Sequence, residues 1–179
     1  MPMSNIRTFD GKSPQLGTSV WVDPSAVIIG DVVIGDQASI WPMTAIRGDV
    51  NSIRIGARTN IQDGSVLHVT HAGPSAPHGH ALTIGNDVTA GHKVLLHGCT
   101  IGDRCLVGMG SIVMDGAVLE PDLILAAGSL VTEGKVLESG YLWCGSPARR
   151  LRELTEKELG FLPYVAEHYV KLAQKYRAG

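Results

Sequence analysis

Residues 101–131 read IGDRCL VGMGSI VMDGAV LEPDLI LAAGSL V when cut at every sixth residue. Each block opens on an aliphatic side chain: Ile101, Val107, Val113, Leu119, Leu125 and Val131. Four residues further on most blocks carry a small one, as at Cys105, Ser111, Ala117 and Ser129. A period of six fits neither the 3.6-residue turn of a helix nor the plain alternation of a lone strand. It fits a short strand followed by a corner, with the aliphatic and the small residue both facing inward. Three such sides close a triangular coil of about eighteen residues, and stacked coils form a parallel β-helix.

The same phase extends upstream. Val22, Ile28, Ile34, Ile40 and Ile46 are six apart; Ile55, Ile61 and Leu67 resume after a three-residue slip; Ile84, Ala90 and Leu96 follow a longer interruption. One hexad before Ile101 is a residue short. Glycine often follows the aliphatic, as at Gly35, Gly56, Gly85, Gly102 and Gly108, where a missing Cβ relieves crowding as the chain bends. The expected inward set is Val22, Ile28, Ile34, Ile40, Ile46, Ile55, Ile61, Leu67, Ile84, Leu96, Ile101, Val107, Val113, Leu119 and Leu125. It makes an all-β domain of about five to six coils. The repeat resembles the hexapeptide-repeat family. That resemblance implies a left-handed β-helix, whereas the general rule for parallel crossovers favours the right hand.

Two segments stand outside the repeat. Residues 69–82 form an inserted loop rich in Gly, Pro and His. Residues 154–177 read as a helix: Thr155 and Glu158 make a capping box, and Leu162, Val165, Tyr169, Leu172 and Tyr176 make one apolar stripe. This helix is expected to pack along the outside of the solenoid, kinked or split at Pro163. The chain of 179 residues is thus one domain, with a β-helix over residues 1–153 and a helical segment over 154–179.

A net charge of −2 weighs against a nucleic-acid or anionic-membrane binder that relies on bulk positive charge. No apolar stretch is long enough for a transmembrane helix, and residues 1–17 show no secretory signal order. Cys99, Cys105 and Cys144 form an odd set without a CxxC pair, which suits a reducing cytoplasm.

The phase also places the histidines. Let the sides of Ile55, Ile61 and Leu67 be faces a, b and c. With the loop treated as an insertion, Ile84, Ala90 and Leu96 return to the same three faces. His68 and His97 then both point outward from face c, one coil apart, close enough to share an ion. His92 lies on face b and diverges from them. A second copy presenting its face b against this face c would complete a three-histidine site, and threefold rotation closes such contacts into a ring. Arg47 falls one coil below His68, and Gln62 and Asp63 fall near His92. Arg47 and Asp63 would meet across that interface, either as a plain ion pair or as part of the site.

Together, Arg47-Gly48-Asp49, Ile55-Gly56, the run Thr59-Asn60-Ile61-Gln62-Asp63-Gly64-Ser65-Val66-Leu67-His68, Gly91-His92 and His97-Gly98-Cys99 resemble the γ-class carbonic anhydrases and their close relatives. So does Gly145-Ser146-Pro147-Ala148-Arg149, and the resemblance covers roughly residues 8 to 177. It implies a homotrimer with interfacial metal sites ligated by His68, His92 and His97. It also implies that Gln62 orients a metal-bound hydroxide for attack on CO2, with Arg47, Asp49, Asn60 and Asp63 around it. Three neutral imidazoles leave a divalent ion an open position and lower the pKa of bound water toward about 7. Zinc is the default ion; Fe2+ or Co2+ would suit imidazole too.

The loop departs from the best-studied members, which carry a glutamate proton shuttle there. Residues 69–82 contain no Asp or Glu but contain His71, His78 and His80. Histidine changes charge near neutrality, and His71, three residues beyond His68, is the nearest candidate shuttle. Val50 also stands where those members have an acid. Both departures weigh against fast turnover. Two other readings compete: a CoA-dependent acyltransferase on the same β-helix, which needs a general-base histidine by an intersubunit acyl-CoA groove, and a non-catalytic metal-binding assembly subunit.

Overall fold

A computed structural model describes residues 5–178, so the outermost ends of the expected segments, residues 1–4 and 179, lie outside the described residues. Face b carries seven parallel strands: Trp21–Val22, Ser39–Ile40, Asn60–Ile61, Thr89–Ala90, Leu106–Val107, Ile124–Leu125 and Tyr141–Gly145. The fold class expected from the hexads is the one observed, a parallel solenoid with one C-terminal helix. At seven or eight turns it is longer than the five or six coils expected. The excess lies at the ends: Ile6–Arg7 joins the stack off phase, while Leu16, Leu137 and Trp143 carry the six-residue spacing beyond the expected inward set.

The register is the one the phase demands. Ile55 pairs with Ile84, Ile61 with Ala90, and Leu67 with Leu96. The three-residue slip is absorbed at one corner. Strands Val27–Ile34 and Ala45–Ile55 run on from face c to face a, and their pairing shifts between Gly30 and Val32.

All the expected inward residues are buried except Val22, which is half-buried on the first rung of face b. Larger fourth-position residues, Val32, Val88, Val94 and Leu123, join the same core. Burying one such aliphatic side chain contributes about 1.5–3 kcal/mol, and the column repeats it at every rung. Where coils touch at the corners, glycine is required: a Cβ on Gly35 would stand 2.7 Å from the Ala57 nitrogen of the next coil.

Residues 141–153 are a feature the hexads did not announce. Strand Ala148–Glu153 turns back antiparallel on Tyr141–Gly145 and leads the chain to the helix. The helix spans Glu156–Ala178. Its capping box forms as expected: the Thr155 backbone N–H donates to Glu158 Oε2 at 2.9 Å, and the Glu158 N–H donates to Thr155 Oγ1 at 3.2 Å. Of the two outcomes expected at Pro163, a kink or a split, the split does not occur: the helix runs through it unbroken. The proline lies on the exposed side, where water can bond the carbonyl that loses its donor. Leu162, Ala166 and Ala173 are buried beneath the helix. Trp41 points outward from face b, yet is buried, because Trp21, Tyr169 and Tyr176 close over it.

Candidate metal centre

His68 and His97 each follow an inward leucine and pair directly in the ladder between strands Val66–His68 and Leu95–His97. Strand spacing alone therefore brings the two rings together, with centroids 5.1 Å apart and His68 Nδ1 lying 3.1 Å from His97 Nε2. The outer nitrogens are occupied. His68 Nε2 lies 3.1 Å from Asp49 Oδ1, and His97 Nδ1 lies 2.7 Å from Asp115 Oδ1. A carboxylate accepts only, so each outer nitrogen carries the proton and donates. When both rings are neutral the two inner nitrogens face each other as acceptors, an arrangement that a cation between them would satisfy. Two imidazoles on a tetrahedral zinc hold their ligating nitrogens about 3.3 Å apart. The donor set fits a divalent ion of that kind.

The electrostatics favour the same state. Burial pushes the His68 imidazole below its ordinary value, with the Arg47 charge adding to the effect against the hydrogen bond to Asp49. Burial would raise Asp49, but hydrogen bonds from Arg47 and His68 outweigh it and hold the carboxyl below the usual range. Asp115 is held down in the same way by Thr70 and His97, against its burial.

On face b, His92 Nδ1 lies 2.9 Å from Asp63 Oδ2, which leaves Nε2 directed away from that partner. Gln62 is buried and donates from Nε2 to Asn60 Oδ1 at 3.0 Å; Asn60 in turn donates to Thr89 Oγ1 at 3.0 Å. Gln62 and His92 lie at a cleft of about 360 Å³ between face b and the helix, walled by Leu106, Met109, Phe161 and Tyr169. The Tyr169 hydroxyl is raised by burial and by the Asp63 charge, and a hydrogen bond with Gln62 opposes the shift.

One chain thus brings together His68, His97, Asp49 and Arg47 on face c, and His92, Asp63, Gln62 and Asn60 on face b. It does not join the two groups. Among the described residues no three His, Cys, Asp or Glu side chains converge on one point. Arg47 pairs with Asp49 and Asp63 with His92, so each has a partner within the chain. His71 is exposed and its Nε2 stands over Gly73 inside the loop. The sequence reading missed two neighbours, Asp115 and Tyr169. Asp115 lies two residues past Val113 on face c, a position that was followed only on face b, at Asp63 and His92. Tyr169 reaches Gln62 because of how the helix docks, which no repeat phase encodes.

Residues 13–48 match the family model described as bacterial transferase hexapeptide (six repeats). Over 171 residues the chain is 56% identical to protein YrdA of Escherichia coli, covering 96% of this chain and 93% of that one. It is 45% identical to a protein named carbonic anhydrase from Geobacillus kaustophilus, with 97% and 91% covered. The crystal structure of a hexapeptide transferase family protein from Anaplasma phagocytophilum superposes with a TM-score of 0.88 at 46% identity, covering 96% of this chain and 97% of that one. The chain belongs to the hexapeptide-repeat family. Within that class it is one of the proteins related to the γ-class carbonic anhydrases.

Proposed function

We propose that the protein catalyses the reversible hydration of CO2 to bicarbonate at divalent-metal sites, zinc by default, formed between the subunits of a homotrimer. The observation that carries this reading is the pair His68 and His97, each backed by a carboxylate, with their inner ring nitrogens facing at 3.1 Å. The third ligand is His92 of a neighbouring copy. Beside the pair on face c runs an outward column of Val66, Leu95 and Ile112, which are 44%, 37% and 40% exposed. An apolar column next to half a site suits a subunit contact, and joining face c to a neighbour's face b closes as a ring.

A bound divalent ion would supply a water of lowered pKa at its open position. Gln62, clamped through Asn60, would orient the attacking oxygen. Asp49 would keep Arg47 and His68 in place, while Asp63 would hold the His92 ring. The cleft's apolar wall suits a small uncharged substrate, and His71 is the candidate carrier for the released proton. Among the described residues no helix is long and apolar enough to cross a membrane. An odd set of three cysteines without a CxxC pair supports a cytoplasmic location.

The test is metal analysis of protein purified without added metal, with stopped-flow CO2 hydration on the same sample. About one ion per chain with measurable hydration is expected. Bound metal with no hydration above buffer would favour the assembly-subunit reading instead. Replacing His71 by Ala should slow hydration in weak buffer, with rescue by imidazole; equal rates at every buffer strength would remove His71 from the path.

A further inference from the structure

Asp115 lies on the coil beyond His97 and accepts two hydrogen bonds, one on each oxygen. His97 Nδ1 lies 2.7 Å from Oδ1, and Thr70 Oγ1 donates to Oδ2 at 2.6 Å. Thr70 is 45 residues away in sequence and opens the inserted loop. The loop is closed at its base by two backbone bonds between Thr70 and His80, each of 3.0 Å. Asn51 adds side-chain bonds to the carbonyls of Thr70 at 3.1 Å and His78 at 3.2 Å. A Cβ on Gly98 would collide with the Asp115 carboxylate and lie 2.6 Å from His80 Cβ. The His80 ring also lies over Gly116, its Cε1 3.4 Å from where a Cβ would be. Two glycines flanking the carboxylate therefore make room for Asp115 on one side and His80 on the other.

We propose that Asp115 is the positioning residue of His97, and that Thr70, at the start of the 69–82 loop, clamps it in that role. The inference rests on the metal-centre reading above. Only with the proton held on Nδ1 does His97 present a bare Nε2 toward His68. A carboxylate partner enforces that tautomer, and Thr70 keeps the carboxylate from turning away. The loop, whose histidines read from sequence as proton carriers, thereby acquires a second task in holding a ligand.

The experiment compares the full-length protein with Asp115→Asn, Thr70→Val and Thr70→Ser. Zinc affinity is measured by chelator competition, and the His97 tautomer by nitrogen NMR on the metal-free protein. Asp115→Asn should weaken zinc about 10–100-fold and lose the pure Nδ1–H tautomer. Thr70→Val should weaken zinc less, and Thr70→Ser should restore it because the hydroxyl returns. Zinc affinity of Asp115→Asn within about twofold of the unmutated protein, beside its expected 10–100-fold loss, would overturn the proposal. So would a lowered melting temperature with affinity and tautomer unchanged, the sign of a purely structural carboxylate. If Asp115→Asn fails to fold, the Thr70 pair decides: equal zinc affinity in Val and Ser rejects the clamp. If the unmutated protein binds no zinc, the metal reading itself fails, while the tautomer still shows whether Asp115 sets the ring.

Discussion

At His97 one ring nitrogen is gripped by a carboxylate and the other faces His68; His68 repeats the pattern one rung below with Asp49. Chemistry at this scale depends on which nitrogen carries the proton, and the outer carboxylates decide it. Replacing His68, His92 or His97 by Ala should each cost more zinc affinity than the about 10–100-fold expected for an outer partner, as measured by chelator competition. Gln62 differs, because it touches no ligand and is fastened to Asn60. Gln62→Ala should keep the metal and lower turnover about 100-fold, the scale of a misplaced reactant. Loss of metal from that variant would contradict the orienting role.

Among elements, the corners and the helix carry the specificity that the aliphatic column lacks. One corner places Arg58, Asp87, Arg104 and Asp122 above one another in the left-handed region, with φ between 52° and 58°. Arg58 and Asp87 pair at 2.7 and 2.6 Å, as do Arg104 and Asp122 at 2.6 and 2.7 Å. A coil slipped by one rung would set like charges together. The helix is held by Trp41 under Tyr169 and Tyr176. Trp41→Ala should destabilise the fold by about 3–5 kcal/mol and loosen the helix, measurable by denaturant unfolding and amide exchange over residues 156–178. The capping box adds a pH signature. Hydrogen bonds from Arg152 and Thr155 lower Glu158 from 4.5 to about 2. A depressed carboxylate stabilises fully above its unfolded value and loses that contribution as pH falls through the folded one. Melting temperature should therefore decline between pH 4.5 and 2, and Glu158→Gln should flatten that part of the curve.

For the whole molecule the decisive prediction concerns two damaged copies. His92→Ala retains His68 and His97, while His68→Ala retains His92. Neither homotrimer should bind zinc tightly. Mixed trimers formed by refolding the two together should regain about one site in three, since one interface in each ring is intact. No recovery would mean that the ligands do not come from neighbouring copies. Leu95→Glu, placed in the apolar column of face c, should shift sedimentation toward the monomer and take the metal with it.

The hexads by themselves determined the solenoid, its register and the nearness of His68 to His97. An inward aliphatic every six residues admits one phase, and a ladder spaced by about 4.8 Å then stacks whatever follows it. The capping box was legible for the same reason, because its bonds span only three residues. Tertiary structure decided the rest. Asp115 meets Thr70 across 45 residues, Tyr169 reaches Gln62 from a docked helix, and Pro163 is tolerated because it faces water. These contacts depend on where an inserted loop and a helix come to lie against the coils. A local repeat sets the distance between adjacent rungs, but it does not say what packs across them.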